Sequence, residues 1–372
     1  MKLSLLQENI SLALSHTSRF VASKIQLPIL NHILFSTDKG RVKLSATNLE
    51  IGINYWLGAK IEEEGSFCLP AKEITEFVSY LPAGRLDLSL KNNNILTLSS
   101  NKTESNFACL PPADFPEIPS LDPKTAFEID LSILTEAINQ IAFAAATDDS
   151  RPILTAILCT FSSTELNLVA TDGFRLSLKN IKLTSPLDLS TDIQTLLIPA
   201  KSLLEIVKLA KNTKKIKIGL TKDSNQVVFV LEDLELVSRL IEGDYPDYHR
   251  IIPGQASTKV YLNRDELSQA IKQSSVFARQ SANVVKLSLK ASAIELSANA
   301  PQIGQNKVSV DARIEGEPLE IAFNYKFISD FLTICKGEEI IIELNEALSP
   351  GLFRDSSDPA LTHIIMPVRI QD

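Results

Sequence analysis

The sequence has little of what usually announces chemistry. Its 372 residues include only four cysteines and four histidines. Cys68, Cys109, Cys159 and Cys335 are scattered, with no Cys-x-x-Cys pair. That excludes a zinc ribbon and a disulfide frame, and it fits a reducing cytosol. His16, His32, His249 and His363 lie far apart, none at metal-ligand spacing, and read as surface or module-edge residues. No Walker A loop, no Gly-x-Gly-x-x-Gly turn and no Gly-x-Ser-x-Gly elbow is present. No cofactor, metal or catalytic group is therefore expected. Aromatic residues make up 6% of the chain, too few for a protein that stacks single-stranded bases. Long apolar runs are also missing. The first residues, MKLSLLQENISLALSHTSR, are interrupted by Glu8, Asn9, Ser11 and Ser15. No signal peptide or membrane span is expected, and the cytoplasm is the expected location. Cationic excess is absent, the net charge being −8. A nucleic-acid partner would need a local basic face.

What is present is repetition. Three segments align, beginning LSLLQENISLALSH, FEIDLSILTEAINQ and VYLNRDELSQAIKQ. Each reads as strand, amphipathic helix, loop, then two strands around a turn. Leu6, Ile10, Ala13 and Leu14 mark one face of the first helix. Leu134, Ile138, Ile141 and Ala145 mark the second. Leu267 and Ile271 mark the third, with Asn263 and Glu266 as its capping box. A second pattern follows each segment: FCLPAKEITEFVSYLP, LLIPAKSLLEIVKLAK and IAFNYKFISDFLTICK. Each third thus holds two strand–helix–strands modules. The Pro-rich stretches at 117–126 and 251–258 read as linkers. The expected fold is α+β with antiparallel sheets, in three domains spanning 1–122, 127–252 and 257–372.

Acidic pairs give no convincing site. Asp148-Asp149 lies in the polar loop AATDDSRP, and Glu62-Glu63-Glu64 precedes Gly65 as a surface turn. A hydrolase built on Asp172 and His249 is the rival from the enzyme class, but no motif has catalytic spacing.

The stretch ATDGFRLSL, with SRPILT, IPAKSLLEIVK, YPDYHRIIP and the terminal IIMPVRI, resembles the β subunit of bacterial DNA polymerase III, the replicative sliding clamps. The resemblance runs end to end. It implies three similar domains per chain and a head-to-tail homodimer closed into a ring, with sheets outside and helices around duplex DNA. It implies a processivity factor without catalytic activity. Its partners would be double-stranded DNA, polymerase subunits, a clamp loader and repair proteins. These proteins would dock short linear peptides in a cleft between the second and third domains. Matching positions for that cleft are Leu154, Thr171, Gly173, Arg175, Leu176, Pro246, Arg250, Ile251, Pro350, Ile364, Met366, Pro367 and Arg369. Considered alone, Leu176, Ile251 and Ile364 would read as alternating strand core. The candidate DNA-facing cations are Lys24, Lys72, Lys201, Lys208, Lys211 and Arg279. Lys24 stands where the family often has Arg followed by Pro, and here Ile25 follows. The ring interface would join the region of Phe107 to that of Val276 and Phe277. The third copy, with SANVV where the second has SRPIL, is the most divergent. The chain also runs two residues past Ile370, as Gln371-Asp372.

Overall fold

The computed structural model describes residues 1–22, 27–91, 94–189, 193–210 and 213–369. Six α-helices occur among them: α1 (Gln7–Thr17), α2 (Ala71–Ser79), α3 (Leu131–Ile141), α4 (Ala200–Leu209), α5 (Arg264–Ala278) and α6 (Tyr325–Ile334). Every paired strand is antiparallel. This is the α+β class that the alternation of short apolar patterns requires. By contacts the chain forms two compact units. One is Met1–Ile133 with Leu187–Ser190 and Lys201–Leu240; the other is Leu134–Pro186 with Thr191–Ala200 and Ile241–Asp372.

In the first unit a five-stranded sheet runs in the order Lys60–Glu63, Lys2–Leu6, Arg85–Lys91, Ile95–Ser100, Thr103–Ala108. An eight-stranded sheet joins Ser66–Pro70, His32–Asp38, Arg41–Thr47 and Ile51–Leu57 to Leu234–Arg239, Gln226–Leu231, Lys215–Leu220 and Phe127–Asp130. The join is a backbone ladder, Ile51↔Ser238 through Tyr55↔Leu234. The second unit holds one twelve-stranded sheet. Its join lies between Arg175–Lys182 and Asp358–Ile365, with Arg175↔Ile365 through Lys179↔Leu361. The two units divide the middle third because each half of it is hydrogen-bonded, strand to strand, to a neighbouring third.

The modules are not self-contained. Each helix carries the chain from one half-sheet to the other. Lys2–Leu6 precedes α1 yet pairs with Arg85–Lys91, which follows α2. Ser66–Pro70 precedes α2 yet pairs with His32–Asp38. The middle third repeats this exchange with Phe127–Asp130 and Ile193–Pro199, and the last with Thr258–Asn263 and Glu320–Asn324. Neither module can bury its apolar face without its sibling.

The helices bury the faces their periodicity predicts. Ile10, Ala13 and Leu14 are fully buried, as are Ile138, Ile141 and Leu267. Leu6 departs from expectation. It ends a strand and is 51% exposed, while Gln7 turns inward and its Nε2 donates to Val78 O at 2.8 Å. Asn263 caps α5 by accepting from the N–H groups of Asp265 (2.9 Å) and Glu266 (3.1 Å). The first linker is laid down on the first unit: Asp122 N–H donates to Leu220 O, and Ile118 packs over Gly52.

Candidate peptide-docking cleft

The hairpin 165–182 is built around its turn. Thr171 pairs with Leu176, leaving a four-residue loop rather than a two-residue Asp-Gly turn. Asp172 organises it as an Asx turn, Oδ1 accepting from the N–H groups of Phe174 (2.8 Å) and Arg175 (3.0 Å). Thr171 Oγ1 accepts from Gly173 N–H (3.0 Å) and donates to Arg175 O (2.6 Å). Gly173 supplies φ +91°, and a Cβ there would lie 2.7 Å from Arg151 Nη1. The Arg151 guanidinium donates to Asp172 O and lies over the exposed Phe174 ring.

The turn starts the strand that forms the join. Met366 N–H donates to Phe174 O (2.9 Å), so the end of the chain is laced to the turn. On one face of the ladder, Leu176 and Ile364 are paired and buried, and they cluster with Val169, Tyr248 and Leu352. Tyr245, Ile251 and Ile252 pack against this cluster from the linker. The structure thus brings Leu176, Ile251 and Ile364 together. Ile251 is not a strand residue as alternation suggested; it closes a 3₁₀ turn, Tyr248–Ile251, which lets it reach the sheet from outside. Met366 is 37% exposed beside this cluster's strand, with Pro367 half-buried and Arg369 exposed. Pro246, Gly173 and Arg250 are exposed, Arg250 paired with Asp247; Pro350 is half-buried at the start of the strand bearing Leu352. Leu154 and Thr171 are buried, Leu154 outside this cluster. Val169, Tyr248 and Leu352 escaped sequence reasoning. Val169 lies two residues before Thr171 and so on the same strand face, a signal the alternation carries, whereas Leu352 is brought opposite Ile364 only by the strand register.

The opposite face is polar and closed. Arg175 is 11% exposed. Its Nε donates to Asp172 and its Nη2 to Phe143 O, it pairs with Asp330, and it lies over the Phe143 and Phe327 rings. His363 is fully buried rather than a surface residue. Its Nδ1 lies 2.7 Å from Ser177 Oγ, and its ring stacks on Phe331 at 5.2 Å. Burial, and then the Arg175 charge, lower its pKa to about 3, so the imidazole is neutral. Buried Lys179 and half-buried Asp358 form an ion pair, and Gln140 Nε2 donates to the same carboxylate. Asp172 has its oxygens committed to the turn and Arg175, while His249 is exposed and stacks on Tyr248. Neither is arranged as a catalytic acid or base.

The remaining sequence candidates lie elsewhere. Lys72, Lys201, Lys208 and Arg279 are exposed on or at the ends of α2, α4 and α5, with Lys208 paired to Glu205 at 2.9 Å. Lys24 and Lys211 lie outside the described residues. Phe107 is half-buried against Phe77 (5.2 Å between ring centres) on the edge strand Thr103–Ala108. Val276 is 54% exposed and Phe277 half-buried near the end of α5. No cluster among the described residues could hold a metal ion, and no helix among them is long and apolar enough to cross a membrane.

Antiparallel strand–helix–strands modules in tandem, joined sheet to sheet by backbone ladders, define a clamp-type α+β fold. The comparisons with known proteins make this specific. Family models match the N-terminal domain of the DNA polymerase III beta subunit at residues 1–119, its central domain at 128–247 and its C-terminal domain at 249–369. The chain is 32% identical to the beta sliding clamp of Bacillus subtilis over 380 residues, covering 99% of this chain and 100% of that one. It is 30% identical to the beta sliding clamp of Staphylococcus aureus (strain Mu50) over 366 residues, 96% of each. The solved Bacillus subtilis DNA polymerase sliding clamp superposes with a TM-score of 0.93 at 31% identity, and the Thermotoga maritima DNA polymerase III beta subunit with 0.91 at 30%; each comparison covers 100% of both chains. The chain belongs to the DNA polymerase III beta subunit family, the beta sliding clamps. These are non-catalytic processivity factors of DNA replication.

Proposed function

We propose that two copies of this chain close head to tail into a ring around duplex DNA and tether a polymerase and repair proteins to it. The domains would span 1–122, 127–252 and 257–372. The observation that carries the reading is the rule by which consecutive thirds join. The strand after the module turn pairs with the last strand of the next third: Ile51–Leu57 with Leu234–Arg239, then Arg175–Lys182 with Asp358–Ile365. The two strands at the corresponding places, after the third module turn and at the end of the first third, have no such partner among the described residues. Gly304–Asp311 follows the third turn and is paired only with Ala293–Ala300; Thr103–Ala108 ends the first third and is paired only with Ile95–Ser100. An exposed edge is a template for strand addition. Joining these two edges between chains is a heterologous contact, and closure into a ring leaves neither of these two edges free. Phe107 lies on one of these edges, and Val276 and Phe277 would join the same interface.

Sliding requires phosphate attraction without base reading. Lys24, Lys72, Lys201, Lys208, Lys211 and Arg279 would supply it from the helices and adjoining loops. A partner's disordered tail would anchor in the cleft. Leu176, Ile251, Ile364 and Met366 would form its apolar wall, and the other cleft positions (Leu154, Thr171, Gly173, Arg175, Pro246, Arg250, Pro350, Pro367 and Arg369) would frame and support it. Arg175 would act by holding the turn, since its guanidinium is already committed internally.

Loading the protein with its loader onto nicked circular DNA, then linearising the DNA, tests the ring. Release on linearisation is expected; retention refutes encirclement. Met366→Ala and Leu176→Ala should each weaken a polymerase-tail peptide about tenfold without changing the dimer mass by light scattering. Unchanged affinity in both moves the docking site elsewhere.

A further inference from the structure

The first unit contains a second version of the cleft turn, matched atom for atom. Thr47 Oγ1 donates to Ile51 O (3.0 Å) and accepts from Leu49 N–H (3.0 Å). Asn48 Oδ1 accepts from Glu50 N–H (3.0 Å) and Ile51 N–H (2.9 Å). Leu49 takes φ +75° where the other copy has Gly173 at +91°. Gly52 stands where Leu176 stands, and Val237 lies opposite it as Ile364 lies opposite Leu176. The segments leading to the linkers correspond too, DFPEI (114–118) against DYPDY (244–248). At this place in the first unit is a groove of about 130 Å³, with a floor of Ile51, Gly52, Pro116, Ile118 and Val237.

The groove differs from its counterpart in chemistry. Absence of a side chain at Gly52 lets Ile118 move in, its methyls 3.3 Å from where a Cβ would be. The remaining volume is on the scale of cavities that take a benzene-sized group, so it suits one aliphatic side chain. Leu49, 48% exposed, offers an apolar lip. Three acceptors surround it. Glu50 and Glu117 are exposed carboxylates on the lining, and Gln226 Oε1 is buried there with no hydrogen-bond partner. The counterpart in the second unit instead has Arg151 exposed against its turn and Arg369 exposed on the terminal segment, while Asp247, at the place of Glu117, is paired with Arg250.

We propose that this groove is a second docking site, for a peptide segment carrying one aliphatic residue flanked by Lys or Arg. The aliphatic side chain enters over Ile118, and the flanking cations meet Glu50 and Glu117. Charge then separates the two sites on one chain: basic segments select the first unit, and acidic or neutral tails the second.

Methyl-labelled full-length protein should be titrated with the peptides Gly-Lys-Leu-Arg-Gly and Gly-Glu-Leu-Glu-Gly. The basic peptide should shift the methyls of Leu49, Ile51, Ile118 and Val237 saturably, leaving those of Leu176 and Ile364 unmoved. The acidic peptide should not shift the first set. The doubly charge-reversed variant E50K/E117K, whose two sites are exposed, should weaken the basic peptide at least tenfold while keeping the wild-type thermal melt. No saturable shift at millimolar peptide, equal response to both peptides, or undiminished affinity in the variant overturns the proposal. Shifts confined to Leu176 and Ile364 also overturn it, while leaving the second-unit cleft in place.

Discussion

His363 makes the second unit sensitive to acid in a way that can be worked out from its surroundings. Its ring lies between Phe143 and Phe331, with Ser177 on Nδ1 and the Arg175 charge nearby. Among the described residues no carboxylate is bonded to it; Asp172 and Asp330 are both engaged by Arg175. Above pH 6.5 the imidazole is neutral in the folded and unfolded chain alike. Below that value only the unfolded chain takes up the proton, until about pH 3, where the buried ring follows. Stability contributed by this residue is therefore complete above pH 6.5 and falls as the pH drops. The slope is about 1.4 kcal/mol per pH unit, hence about 3 kcal/mol lost at pH 4.5 and about 4 kcal/mol at pH 3, where protonation of the buried ring flattens the curve. His363→Asn keeps a hydrogen-bonding partner for Ser177 and removes the titration. Urea unfolding of wild type and variant should be compared at each pH between 7.5 and 4.5. The variant should be less stable at pH 7.5 through lost packing, and the gap should close or reverse by pH 4.5. A gap that stays constant across this range refutes the buried neutral histidine.

Further perturbations follow from neighbouring contacts. Lys179→Met leaves Asp358 with the Gln140 amide alone and should cost about 3 kcal/mol in urea unfolding; the double change Lys179→Met with Asp358→Asn should recover more than half. A single variant costing under about 1 kcal/mol would mean solvent already screens the pair. Gly173→Ala should cost only about 1 to 2 kcal/mol for its φ of +91°, because the contact it creates is with the flexible end of Arg151. Gly173→Asn should cost less, since Asn tolerates this region; thermal melts of the two variants check the order. Asn263→Ala should destabilise α5 by about 1 kcal/mol, read as faster amide exchange at Asp265 and Glu266.

Repeats, helices and strand alternation were legible in the sequence, because period and turn chemistry are local. The exchange of first strands was not. Alternation tells which face of Lys2–Leu6 is buried (Leu3 and Leu5), but Arg85–Lys91 and His32–Asp38 offer equally suitable apolar patterns, and the choice is non-local. Burial of His363 was partly legible: Leu361 to Ile365 is covered on both faces, and LTHII lacks the strict alternation of a half-buried strand. The role of Arg175 was hidden, since its partners Phe143, Phe327 and Asp330 come from segments that sequence spacing cannot bring together. Ile251 belonged to the right cluster through the wrong local structure, because an apolar pair before Pro253 resembles a strand end.

The ladders that join successive thirds are made of main-chain groups, which every residue type except proline supplies in full. Selection can therefore rewrite the side chains on either flank of a seam without unpicking it. Leu176 can become a glycine in the sibling repeat, and an arginine beside it an isoleucine, while the strands stay in register. A scaffold held this way tolerates drift to about one identical residue in three while keeping its path in space. Each seam then becomes a place where a new recognition surface can be tried at little structural risk.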